Sequence, residues 1–195
     1  LPEKIYTTRT ISLTSEQVKA YEEMRRFNIT EMDGKTMTSL STLAALIRLH
    51  QITCGHVTFD DGDTKEIKSN RMNELLNVLD EVDGKVIIWA NYRFDIKKIQ
   101  QTLSEKFGAD SVATYFGDTK DKDRQDIVEK FQDKNSSLKY FVGNPSTGYV
   151  DIIAEGTVDE KIVRSLRSKI DIASEVMGED VKNWVIEPIK KRKES

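Results

Sequence analysis

The sequence has a single cysteine, Cys54, which excludes an internal disulfide and any cysteine-rich zinc site. That scarcity suits a reducing, intracellular compartment, cytoplasm or nucleus. Histidine is nearly as rare: His50 and His56 lie near Cys54, but the three together fall short of a zinc ligand set, and no metal site is expected. No apolar run approaches membrane-spanning length, and no signal-peptide pattern opens the chain, so no membrane partner is expected. Nor is there an excess of one charge. Thirty Lys and Arg stand against 33 Asp and Glu, a net charge of -3, so any nucleic-acid contact must come from a local patch rather than a global basic field.

A glycine-rich phosphate cradle is missing too. Gly34-Lys35-Thr36 has the ending of a phosphate loop, but Ile29 stands where the first glycine is needed, and a charged helix precedes it instead of a buried strand. A plain turn is expected there, inside a loop over Thr30 to Thr38. Asp60-Asp61-Gly62-Asp63 resembles the start of a calcium loop, yet Arg71 occupies the position of the closing Glu, so a solvated turn is expected.

What is present is enough apolar residue, 37% of 195, to build the core of one domain with an appendage, under a surface made polar by 32% charged residues. Ile5 to Leu13 reads as a strand or extended entry, and Thr14-Ser15-Glu16-Gln17 as a capping box opening a helix that fades near Asn28. Leu40, Leu43, Ala44, Leu46 and Ile47 predict a buried helix over Ser39 to Cys54, closed by Gly55. Met72, Leu75, Leu76, Leu79 and Val82 give Asn70 to Val82 an inward face.

The organising stretch follows. Lys85 to Ala90 is a Val/Ile-rich run without alternation, as expected for a strand covered on both faces. A helix with Ile96, Ile99, Leu103 and Phe107 inward ends at Gly108. Next come a short strand over Ser111 to Tyr115, a turn at Phe116 to Thr119, a helix over Asp121 to Gln132, and a third strand from Leu138 to Gly143. Such alternation predicts an α/β fold, a mostly parallel sheet with helices on both faces, whose ligands sit at the carboxyl ends of the strands. Thr157 to Glu160 is the chain's clearest capping box, opening a long helix that stops at Gly178, and Lys190 to Lys193 form a basic tail.

One join does not fit. Tyr149 to Ile153 also reads as a strand, but only Asn144 to Gly148 separates it from the third. That connection can close an antiparallel hairpin and is too short for a parallel crossover. Either this pair is an edge hairpin, or residues are absent between Gly148 and Tyr149.

The motifs, taken together, resemble the C-terminal RecA-like lobe of a Swi/Snf-type, superfamily-two helicase-like ATPase. The resemblance rests on Leu13-Thr14 with Gln17 and Tyr21, on Leu49-His50-Gln51-Ile52-Thr53-Cys54, and on Asn70-Arg71-Met72 with Leu75. It continues through Lys85 to Tyr92 as motif IV, Phe116-Gly117-Asp118-Thr119 with Arg124-Gln125 and Phe131, and Asn144 to Gly148 as the start of motif V. Glu155-Gly156-Thr157-Val158-Asp159-Glu160-Lys161-Ile162 completes it. The rest of motif V and all of the arginine-bearing motif VI would fall between Gly148 and Tyr149, so the resemblance implies that about forty residues are absent there, as the crossover rule also suggests.

It further implies an N-terminal helical extension over 1–69, the RecA-like lobe over 70–178 and the basic tail over 179–195, in a chain that opens on Leu1 without an initiator Met and reads as a piece of something longer. The implied function is the second lobe of an ATP-driven helicase or translocase on double-stranded DNA. ATP and magnesium belong to the whole enzyme, whose N-terminal RecA-like lobe is the partner. Contacts to the nucleic-acid backbone are expected from Asn91, Tyr92, Arg93, Gly117, Asp118, Thr119, Ser146, Thr147 and Gly148, through groups that position phosphates without reading sequence. Arg124 is expected to anchor its helix to the neighbouring loop, and Trp89 to lie in the core. Lacking motif VI and the other lobe, the chain is expected to carry no catalytic residue and no activity of its own. The competing reading is a non-enzymatic α/β protein-interaction module, which a hairpin across Asn144 to Gly148 would favour. A flavodoxin-like phosphate-handling enzyme ranks below both for want of a glycine-rich cradle.

Overall fold

The computed structural model describes residues 7–144 and 150–154, the latter by its backbone alone. Two compact units divide them, one holding 7–74 with 150–154 and the other 75–144.

In the first unit β1 (Thr7–Ile11) pairs in parallel with β9 (Val150–Ala154), in register from Thr7↔Val150 to Ile11↔Ala154. Helix α1 (Ser15–Phe27) begins at the expected capping box. The Thr14 hydroxyl accepts from the Gln17 amide at 3.3 Å, and the Gln17 side chain accepts from the Thr14 amide at 3.1 Å. Asn28, at φ 56°, ends the helix in the left-handed conformation.

Thr30 to Thr38 is not a loop. Asp33 and Gly34 both adopt positive φ, 53° and 73°, as the tight turn between two twisted strands requires. The flanks fold as an antiparallel hairpin, β2 (Ile29–Met32) and β3 (Lys35–Thr38). The turn expected at Gly34-Lys35-Thr36 is met only at Gly34, which turns with Asp33, while Lys35 and Thr36 belong to β3. A second hairpin, β4 (His56–Thr58) and β5 (Thr64–Glu66), turns through Asp60 to Asp63. Lys35 reaches across to both Asp61 and Asp63, and Lys65 pairs with Asp33 at 2.6 Å.

Between the hairpins runs α2 (Thr42–Cys54), capped by Ser41 and closed by Gly55. Its buried face is Ala45, Leu46, Leu49 and Ile52, packed on Ala20, Tyr21 and Met24 of α1 with Met37 and Val57. The expected stripe is met in part: Leu46 is buried, Leu43 and Ile47 lie on the exposed side, and Leu40 precedes the helix and is exposed. Gly55, at φ 100°, is required twice over, because a Cβ there would also sit 2.7 Å from that of Ser69.

Helix α3 (Arg71–Asp80) spans the division between the units, with Leu79 buried and Met72, Leu75 and Leu76 half-buried. Val82 lies beyond its end and is exposed.

The second unit is the parallel α/β layer that the alternating pattern predicts. Strands β6 (Val86–Trp89), β7 (Val112–Tyr115) and β8 (Tyr140–Gly143) stand in the order β6-β8-β7, every pairing parallel. Helices α4 (Arg93–Phe107) and α5 (Asp121–Gln132) connect them. Successive residues of a strand point to opposite faces. Phe107 of α4 packs on Tyr140 at 5.0 Å between ring centroids, while Phe131 of α5 packs on Phe141 at 5.4 Å, so the two helices cover opposite faces. Ile96, Ile99 and Leu103 are buried as expected.

The covering expected on both faces of β6 is uneven: Ile88 is buried while Ile87, on the opposite face, is 51% exposed, and among the described residues β6 pairs with β8 alone. β9 pairs with β1 and not with β8, so the alternative of an antiparallel β8–β9 hairpin is not realised. Among the described residues no helix is long and apolar enough to cross a membrane.

Candidate nucleic-acid interface

The carboxyl tips of β6, β7 and β8 lie side by side because the strands are parallel and in register: Trp89 pairs with Gly143, and Gly143 with Tyr115. Close approach here depends on Gly143. A Cβ at that position would stand 2.7 Å from the Tyr115 carbonyl oxygen and 3.0 Å from the Trp89 ring. Trp89 itself is half-buried, edge-on to Phe141 at 6.3 Å.

Beyond β6, Tyr92 is the N-cap of α4 but makes no side-chain cap bond. Arg93 opens the helix with its guanidinium in solvent, paired to Asp118 at 3.2 Å, and Lys97 one turn later approaches the same carboxylate at 3.7 Å. Exposed pairs of this kind contribute little to stability. Cations in the first turns also oppose the helix dipole, so neither Arg93 nor Lys97 is placed there to strengthen α4. Gly117 completes the contact between the loops, since a Cβ on it would lie 3.3 Å from an Arg93 nitrogen.

Thr119 is committed to its own turn. Its hydroxyl donates to the Thr114 carbonyl and accepts from the Phe116 amide, both at 3.0 Å, while its amide donates to the Phe116 carbonyl at 2.9 Å. The Arg124 guanidinium donates to the Thr119 carbonyl at 3.2 Å and stacks over the Tyr115 ring at 5.3 Å, which is the anchoring role expected of it. After β8, the Asn144 side-chain amide donates to the Ala90 and Asn91 carbonyls, each at 3.1 Å.

The fold thus brings Asn91, Tyr92 and Arg93 together with Gly117, Asp118 and Thr119. Ser146, Thr147 and Gly148 lie outside the described residues. Sequence reasoning missed Lys97 and the Asn144 clamp. The spacing of Arg93 and Lys97, four apart at a helix start, was the available signal for the first. Elsewhere, Cys54 and His50 touch at 3.7 Å, and among the described residues no group of three or more His, Cys, Asp or Glu converges as a metal site would require.

A parallel sheet with helices on both faces and a polar cluster at its carboxyl tips is a parallel α/β layer, consistent with a RecA-like lobe. Comparison with solved structures narrows this. The C-terminal domain of the Sulfolobus solfataricus SWI2/SNF2 ATPase matches with a TM-score of 0.64 at 23% identity, over 90% of this chain and 90% of that one. The SWI2/SNF2 ATPase core from the same organism, in complex with dsDNA, matches with a TM-score of 0.70 at 20% identity, over 98% of this chain and 51% of that one. The fold is that of the C-terminal lobe of a SWI2/SNF2-type ATPase, and the chain spans about half the length of the ATPase core. No protein-family model matches the sequence, and no curated protein matches it.

Proposed function

We propose that this chain is the second lobe of an ATP-dependent helicase or translocase, which grips the backbone of double-stranded DNA and supplies half of an ATP cleft. The observation that carries the reading is the convergence of Arg93, Lys97, Gly117 and the Asn144 clamp at adjoining tips of three parallel strands. Backbone amides, small residues and one or two cations are the groups that position a phosphate chain without reading bases. The likeness to an ATPase core solved with dsDNA supports the choice of nucleic acid.

We expect no ATP binding by this chain on its own. Gly34-Lys35-Thr36 is the turn and first residues of an antiparallel hairpin, and the Lys35 ammonium is bound to Asp61 and Asp63. Phosphates and magnesium would be held by a separate N-terminal RecA-like lobe. Arginines that stabilise transferring phosphate are worth several orders of magnitude in rate. The sequence lacks the motif that would carry them, so the chain alone turns over no ATP.

Fluorescence anisotropy with a labelled duplex tests the DNA reading: Arg93→Ala should weaken binding without preference for sequence, and unaltered affinity would refute the site. A phosphate-release assay with duplex present tests the second part, where clear turnover by the purified chain would refute inactivity.

A further inference from the structure

We infer that Asp118 is a built-in stand-in for the backbone phosphate: its carboxylate occupies the Arg93 and Lys97 cations in the free protein and is exchanged for a phosphate when a duplex binds. The inference rests on the reading of the strand tips as a DNA-backbone site, and adds how that site is held when empty and how it lets go. The geometry is that of an anion site already filled. Asp118 Oδ1 lies 3.2 Å from a terminal nitrogen of Arg93, and Oδ2 lies 3.7 Å from Lys97 Nζ. Each oxygen serves one cation, as the two unesterified oxygens of a phosphodiester would.

The turn that delivers the carboxylate is held from several sides. The Thr119 hydroxyl bonds both the Thr114 carbonyl and the Phe116 amide, and Arg124 holds the Thr119 carbonyl from α5. Gly117, without a side chain, lets the Arg93 guanidinium lie against the turn. The ion pairs themselves are not locked. The Arg93 and Lys97 side chains are 68% and 65% exposed, and that of Asp118 is 39% exposed. Pairs so well hydrated are worth little, so an incoming phosphate displaces the carboxylate cheaply. A buried pair could not be exchanged in this way, because breaking it leaves an uncompensated charge.

The charges give the consequence. Arg93, Lys97 and Asp118 together carry a single net positive charge, where the two cations alone would carry twice that. The cations are therefore compensated both before and after the duplex arrives. A carboxylate kept beside them competes with phosphate for the same groups and returns to them as the phosphate leaves. The grip is weaker than two bare cations would make it, which suits a lobe that must release one phosphate before taking the next. It also accounts for an anion fixed among groups that otherwise favour phosphate.

Anisotropy titrations of the full chain with a labelled duplex, repeated over a range of salt, test the exchange. Asp118→Asn should bind about fivefold more tightly, the worth of one contact between unit charges about 4 Å apart in water. It should also steepen the fall of log affinity with log salt by about 0.9, the contribution of one more neutralised phosphate. Asp118→Glu keeps the carboxylate and should keep the unaltered slope. Asp80→Asn is the control for net charge. Asp80 pairs with Lys106 at 3.2 Å, and Lys106 stands thirteen residues along α4 from Arg93, about 20 Å at 1.5 Å per residue. Screening over that distance should hold its effect below about twofold. If Arg93→Ala weakens binding but Asp118→Asn changes neither affinity nor slope, or changes them no more than Asp80→Asn does, this inference alone is overturned. If Arg93→Ala has no effect, the DNA reading falls and the inference falls with it.

Discussion

Gly143 shows how much can hang on one missing methyl group. With the Tyr115 carbonyl 2.7 Å from where a Cβ would be, Gly143→Ala must push β7 away from β8. Overpacking of this kind costs about 1–3 kcal/mol. The substitution should lower the urea midpoint and, by spreading the strand tips, weaken duplex binding as well. Asp118 offers the opposite sign. Its carboxylate neutralises Arg93 and Lys97 and would repel phosphate, so Asp118→Asn should leave the fold intact and strengthen duplex binding in an anisotropy titration. The residues of both arguments could be named from sequence. The direction of each effect could not, because both depend on distances across strands that are far apart in the chain.

Helix ends carry the element scale. The C-terminal turn of α2 leaves carbonyls that need partners. Buried Gln17, besides closing its own capping box, donates to the Ile52 and Thr53 carbonyls at 2.7 and 3.2 Å, and Arg71 donates to Thr53 at 3.1 Å. Three motifs that resemble the ATPase family separately, around Gln17, Ile52 and Arg71, meet at this helix end. Gln17→Ala would remove a buried donor from the Ile52 carbonyl, which also accepts from the Gly55 amide, and from the Thr53 carbonyl, which also accepts from Arg71. It should cost about 0.5–1.5 kcal/mol for each hydrogen bond lost, read in a denaturant titration. The helix and its glycine stop were legible in the sequence, but which side was buried was not. Leu43 and Ile47 are as apolar as Leu46 and Leu49, and only the position of α1 decides between them. The β2–β3 hairpin was legible and passed over: Asp33-Gly34 between alternating residues is a hairpin signal.

The hairpins also carry a pH dependence. Hydrogen bonding to Lys35 holds the Asp61 carboxyl below its ordinary 3.8, and hydrogen bonding to Asp61 and Asp63 raises Lys35 above 10.5. A depressed carboxyl stabilises the fold above its unfolded value and loses that contribution as pH falls through the folded one. A raised amine stabilises below 10.5 and loses its contribution as pH rises through its own folded value. The contact should therefore fail in acid and in strong base and hold between them. Lys35→Met should flatten the acid limb of a stability profile followed by circular dichroism.

At the scale of the whole molecule the net charge of -3 sets the terms for nucleic acid. Only a local patch can bind, so few phosphates are neutralised, and each contributes about 0.9 to the salt slope of a duplex. A plot of log affinity against log salt should fall with a slope of roughly -1 to -2, and a much steeper one would point to a larger basic surface than the strand tips provide. The parallel order of β6, β7 and β8 was readable from strand–helix alternation, a local property. That β9 would pair with β1 was not, because nothing in either short segment encodes a partner so remote along the chain.

The Asn144 amide has a mechanical consequence. Its two bonds tie the exit of β8 to the exit of β6, immediately before Arg93. A pull on the chain beyond residue 144 therefore reaches the Arg93 loop before it can peel β8 from the sheet. Shear from one side is delivered to the other through a rivet that Asn144→Ala would remove, leaving the tips to yield one at a time.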